Sequence, residues 1–119
     1  MNSGTMGDWI RAGTRSELDQ KGWLLVWIAE DWPVVVFGIG NEVYVVDAHC
    51  THQDAWLQQG TLDTTAHQIS CPLHDARFDL ATGQAIRGPA AAPLTTYPSQ
   101  IAGDGTIWLQ PVLPWWQAP

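Results

Sequence analysis

Two cysteine–histidine pairs, Cys50-Thr-His52 and Cys71-Pro-Leu-His74, constrain this chain more than any other feature. With four His in 119 residues, a His at one chosen offset from a Cys is expected about 3% of the time, and both pairs together about once in a thousand. Eighteen residues separate His52 from Cys71, so the donors sit on two distinct segments. If they act on one group, the fold must bring two loops together. No other cysteines are present. In an exported chain the pair would read as a disulfide. Met1 to Arg11 carries no basic start followed by an apolar stretch, so a secretory signal is not expected and reduced thiols are the default.

The remaining sequence predicts an all-β scaffold for those loops. At 119 residues, a single domain spanning 1–119 is expected. Punctuation by 11 Gly and 8 Pro, with no sustained apolar stripe at helical spacing, argues for short strands. Gly22 to Ala29, Pro33 to Ile39 and Val43 to Val46 read as an antiparallel meander, with a turn at Glu30-Asp31-Trp32-Pro33. A short helical turn fits Ser16 to Gln20, with Ser16 as its cap. Thr96 to Ile101 and Thr106 to Leu109 read as returning strands, Asp79 to Gly83 as a hairpin turn, and Gly103-Asp104-Gly105 as a further turn. Between Asp47 and Gly88 the chain turns polar and loses strand patterning, yet holds all four His and both Cys. An insert of about 40 residues is longer than ordinary connections and reads as functional.

Charge narrows the partners. Five Lys and Arg against 12 Asp and Glu give a net charge of −7, which argues against a nucleic-acid partner. The longest strongly apolar run, Trp23 to Ala29, falls far short of the roughly 20 residues that a membrane-spanning helix needs. A soluble, cytoplasmic protein is expected.

Two thiolates and two imidazoles from two loops suit two chemistries. One is a Rieske centre, in which two Cys hold one iron of a [2Fe–2S] cluster and two His the other. The other is a structural zinc bound by Cys₂His₂. Zinc sites more often place two to four residues between paired ligands, so the single residue between Cys50 and His52 weighs against zinc.

Cys50-Thr-His52, followed by Cys71-Pro-Leu-His74-Asp-Ala-Arg-Phe-Asp-Leu-Ala-Thr-Gly83, resembles the bacterial Rieske-type ferredoxins of ring-hydroxylating dioxygenases. The likeness runs on through Gly88-Pro89, similar to that family's proline loop, and Thr96-Tyr97-Pro98. Gln53 and Asp75-Ala76 depart from it, standing where many members have Gly. The resemblance implies a Rieske fold: an antiparallel β-sandwich base (1–47 and 89–119) and a small cluster-binding subdomain of two loops (about 48–88). It also implies one [2Fe–2S] cluster per chain, held by Cys50, His52, Cys71 and His74, with no catalytic residue. Respiratory-chain members carry a bracing disulfide; Ala55 and Leu73 stand at those positions here. The implied role is a one-electron carrier, not an enzyme. It would pass electrons from a flavin-dependent NAD(P)H reductase to a terminal oxygenase in aromatic hydrocarbon catabolism, with no substrate pocket of its own. A nitrite-reductase-like small subunit and a zinc-stabilised interaction domain are the alternatives.

Ligand charge explains such a choice. An oxidised [2Fe–2S] core with two thiolates and two neutral imidazoles is neutral, whereas four thiolates leave a dianion that accepts an electron less readily. Rieske potentials accordingly run from about −150 to +300 mV, against about −400 mV for plant-type ferredoxins. Asp75, Ala76 and Phe78 offer no hydroxyl near the second loop, which points to the low end, about −150 mV.

Neighbouring residues have plainer readings. His49 is expected at a strand end and His67 on a surface turn. Trp56 should pack the insert, and Arg77-Phe78-Asp79 should fix the second loop by packing and an ion pair. The Pro111 to Trp116 tail should fold back on the sandwich.

Overall fold

β-Branched runs form the centre of the molecule. The computed structural model describes residues 8–50, 55–72, 76–87 and 92–112. Strand β1 (Ile10–Thr14) leads into helix α1 (Arg15–Lys21), then β2 (Trp23–Ala29), β3 (Trp32–Ile39) and β4 (Glu42–Asp47). A single 3₁₀ turn (Leu57–Gln59) precedes four three-residue strands: β5 (Thr61–Asp63), β6 (Gln68–Ser70), β7 (Arg77–Asp79) and β8 (Ala85–Arg87). The chain closes with β9 (Thr96–Tyr97), β10 (Ser99–Ile101) and β11 (Thr106–Leu109).

Three sheets result, ordered β1-β11-β10, β2-β3-β4-β9 and β5-β6-β7-β8, and every pairing is antiparallel. The second sheet is covered on both faces. Val34, Val36 and Val45 join Leu18, Ile107 and Leu109 in one core, while Val35, Phe37 and Val46 join Ile69, Phe78 and Leu80 in the other. A strand buried on both faces reads as a continuous apolar run rather than an alternating one. Trp32-Pro-Val-Val-Val-Phe37 is such a run, buried throughout. The first core is the expected β-sandwich; the second joins it to the β5–β8 sheet.

The meander matches its expectation except at its first turn. Trp32 and Pro33 belong to β3, so the reversal occupies Glu30-Asp31. Pro33 lies near the start of β3, opposite Trp27 where β2 bulges, a place in a ladder that tolerates a missing N–H. Pro98 separates β9 from β10 in the stretch expected to be one strand. At Asp79–Gly83 the hairpin turn is as expected. Gly83 has φ 81°, and a Cβ there would meet the Leu94 carbonyl at 2.0 Å. The expected subdomain of two loops proves to be a sheet as well, because three-residue strands are too short to show a period of two.

Helix α1 starts earlier than the sequence suggests. Its cap is Thr14, not Ser16: the Thr14 hydroxyl accepts from the Glu17 amide at 3.1 Å, and the Glu17 carboxylate accepts from the Thr14 amide at 2.9 Å. This reciprocal pair satisfies two amides that a helix start otherwise leaves without partners. Replacing Thr14 with Ala should cost about 1 kcal/mol of stability, read by chemical denaturation. An unchanged midpoint would show that the cap is dispensable. No helix among the described residues is long and apolar enough to cross a membrane.

Candidate metal centre

The two cysteines stand at the mouths of two loops built to one pattern. The first loop follows β4 and the second follows β6. The Cys50 amide donates to the Ala55 carbonyl at 3.0 Å, and the Cys71 amide donates to the Ala76 carbonyl at 2.6 Å. In each case the bond closes across four intervening residues, 51–54 and 72–75. Two loops of equal length thus follow strands of two different sheets, each closed at its base by the amide of its own cysteine.

Neither cysteine is in a disulfide, and both are buried, Cys50 at 6% and Cys71 at 3% exposure. They share one apolar cluster with Ala48, Ala55, Leu57, Ile69, Ala76 and Phe78. Two cysteines in one apolar cluster, outside any disulfide and on loops closed by the same backbone bond, are a donor set that suits a soft metal. The Rieske [2Fe-2S] domain family matches residues 8–98. The chain belongs to that family.

Relatives of this Rieske domain agree in size and fold. It is 41% identical over 76 residues to the 3-phenylpropionate/cinnamic acid dioxygenase ferredoxin subunit of Escherichia coli (strain K12), covering 64% of this chain and 70% of that one. It is similar to the ferredoxin of carbazole 1,9a-dioxygenase from Nocardioides aromaticivorans IC177, with a TM-score of 0.80 and 28% identity over 88% of this chain and 99% of that one. A ferredoxin chain in a complex of reduced oxygenase and oxidised ferredoxin of carbazole 1,9a-dioxygenase gives 0.77 and 26%, covering 86% of this chain and 92% of that one. The group the Rieske domain carries is therefore an iron–sulfur cluster, not a lone zinc. The donors fit it: thiolate is the usual ligand of such iron, and neither cysteine is in a disulfide.

His52 and His74 lie outside the described residues, as do Gln53, Leu73, Asp75, Gly88-Pro89 and the Trp115-Trp116 tail. The plainer readings fare unevenly. His49 pairs across an isolated bridge with Trp56, their rings 4.2 Å apart, as a strand-end residue would. Trp56 also meets Trp27 edge-on at 6.0 Å, so it packs the flank of the first loop. His67 is half-buried rather than a surface residue. Its Nδ1 is hydrogen-bonded to the Tyr44 hydroxyl at 2.8 Å, because its turn folds back on β4.

Phe78 supplies the expected packing of the second loop and is fully buried. No salt bridge of Arg77 is found among the described residues, and its Nε is buried with no partner. Its charge is felt instead at Asp63. That carboxyl is held below its ordinary value first by the Ala66 amide, then by Thr65, with Arg77 and His67 adding to the effect. An open groove of about 390 Å³ beside Val43, Leu80 and Tyr97 includes neither cysteine.

In the sequence Asp47 stands only as the boundary of the polar stretch. In the structure it is buried at 4% exposure and accepts hydrogen bonds from Tyr97 and Thr95. A carboxylate directly after the apolar run Val43-Tyr-Val-Val46 was the available signal.

Proposed function

We propose that this Rieske protein carries single electrons from a flavin-dependent NAD(P)H reductase to the terminal oxygenase of an aromatic-ring dioxygenase system. It would hold one [2Fe–2S] cluster through Cys50, His52, Cys71 and His74, and act in the cytoplasm as an electron-transfer component rather than an enzyme. The observation that carries this reading is the pair of buried cysteines, outside any disulfide and each closing its loop by the same backbone bond, in a chain 41% identical over 76 residues to a dioxygenase ferredoxin subunit.

A bound [2Fe–2S] group supplies one reversible electron. Everything else falls to the chain. Cys50 and Cys71 bind as thiolates, and the amide bonds to Ala55 and Ala76 fix where their backbones stand. Leu57, Ile69 and Phe78 exclude water from the cysteine side. The side chains of Ala76 and Phe78 are apolar and offer no hydroxyl to a sulfur, which supports a potential near the low end of the Rieske range, about −150 mV. Such a value suits an electron arriving from a flavin.

Iron and acid-labile sulfide analysis, with EPR of the dithionite-reduced protein, tests the cluster. Colourless protein with zinc would defeat it. A stopped-flow experiment tests the carrier role: the reduced protein should be oxidised by the oxygenase of its system in the presence of substrate. The charge of −7 predicts docking on a basic face. The second-order rate should therefore fall severalfold as ionic strength rises from about 0.05 to about 0.5 M. A rate indifferent to salt would remove the electrostatic part of the proposal.

A further inference from the structure

Asp47 ends β4 three positions before Cys50. Alternation along this stretch sorts the side chains between the two cores. Val46, Ala48 and Cys50 join the core beneath the β5–β8 sheet, while Val45 joins Trp32 and Tyr97 in the sandwich core. Asp47 is buried toward Tyr97, whose hydroxyl donates to its Oδ1 at 2.6 Å. The Thr95 amide donates to its Oδ2 at 3.0 Å. The Tyr97 oxygen accepts from the Trp32 indole N–H at 2.8 Å. An indole can only donate, so the one hydroxyl proton of Tyr97 points at Asp47. Both carboxylate oxygens are acceptors in this relay.

Three residues of backbone span at most about 11 Å. The Asp47 and Cys50 backbones therefore lie within about 11 Å of each other, with the buried carboxylate directed to the sandwich core and Cys50 to the other. We propose that Asp47 holds down the reduction potential of the bound cluster, its charge opposing the arrival of an electron at the Cys50 side. The proposal rests on Cys50 being a ligand. Reduction adds one electron, delivered by the reductase or by dithionite in a titration, and no bond or proton needs to move. In a medium of effective dielectric near 20, a unit charge about 15 Å away, which allows for side chains directed to opposite cores, biases a one-electron equilibrium about sixfold, which corresponds to about 46 mV. Tyr97 and Trp32 are positioning residues that keep the carboxylate in place.

The alternative is that Asp47 merely ties β9 to the end of β4. Potentiometric titration of the intact, cluster-loaded protein separates the two, with EPR of the reduced form as a check on the ligand set. Asp47→Asn removes the charge and keeps the shape, Asp47→Ser removes it with a smaller side chain, and Tyr97→Phe keeps the charge but loses the hydroxyl. Both Asp47 variants should shift to a higher potential, with the reduced-to-oxidised ratio at the wild-type midpoint raised about sixfold. Tyr97→Phe should not rise. Loaded Asp47 variants at the wild-type potential would overturn the proposal, and so would all three variants rising together. Failure of both Asp47 variants to retain iron would mark a structural role and overturn it too. Wild-type protein without iron would bring down the parent reading as well, which keeps the two failures apart.

Discussion

Replacing Cys71 with alanine should strip the chain of its metal: iron should fall from about two per chain to below about a tenth of that, and the red-brown colour should vanish. Cys71 is 3% exposed, and its amide closes the base of the second loop. The backbone bond survives the substitution, because it uses no side-chain atom. What disappears is one of the two thiolates proposed to hold the cluster. A Rieske centre with one sulfur ligand missing leaves an iron short of a donor in a dry site, where no described side chain besides Cys50 offers sulfur. Cys50→Ala should have the same effect.

Stability should fall with the metal, since binding energy at such a site is folding energy. The loss should be greatest in the second loop and the β5–β8 sheet, and hydrogen exchange would localise it there. A Cys71→Ala protein that keeps full iron and an unchanged EPR signal would remove Cys71 from the ligand set. Retention of iron with an altered spectrum would mean that another donor has replaced it.

How far the fold could be read in advance depended on element length. β2, β3 and β4 run for seven, eight and six residues, long enough for β-branched and aromatic enrichment to stand out. β5 to β8 hold three residues each. With one or two inward positions per strand, they leave no period to detect, and a polar composition made the region look like loop. Their sheet exists because Ile69 and Phe78 are driven against Val35 and Val46 of a distant strand pair, a tertiary reward invisible to local reading. The cysteines were legible for the opposite reason. Ligand spacing is local, so a one-residue and a two-residue gap could be counted directly. His67 and Asp47 were misjudged or overlooked because their partners lie far along the chain: Tyr44 is 23 positions from His67, and Tyr97 is 50 positions from Asp47. Polarity alone sends such residues to the surface; only the fold shows the hydrogen bonds that let them stay inside.

Gly60→Ala should be the costliest single-methyl change among the described glycines outside left-handed turns, at about 3 kcal/mol. Gly60 closes the 3₁₀ turn with its amide on the Leu57 carbonyl at 2.9 Å, and the chain then enters β5. Its φ of −84° is open to any residue, so conformational freedom is not the reason for glycine there. Close approach is. A Cβ at this position would lie 1.8 Å from the Ser70 carbonyl oxygen and 3.0 Å from its carbon. Both are backbone atoms, so no side-chain rotation relieves the overlap. Ser70 must move, and Ser70 directly precedes Cys71. The Thr61–Ser70 pairing that starts the β5–β6 ladder would shift, carrying the second loop with it. The melting temperature should drop on the order of 10 °C, and iron retention after purification should fall in parallel. Gly103→Ala is the matched control, because nothing lies within 4 Å of a Cβ built there; it should change stability by less than about 0.5 kcal/mol. If Gly60→Ala melts with the wild type and keeps its iron, then the β5–β6 ladder yields more readily than its packing implies, and the second loop is not held by the strand that leads into it.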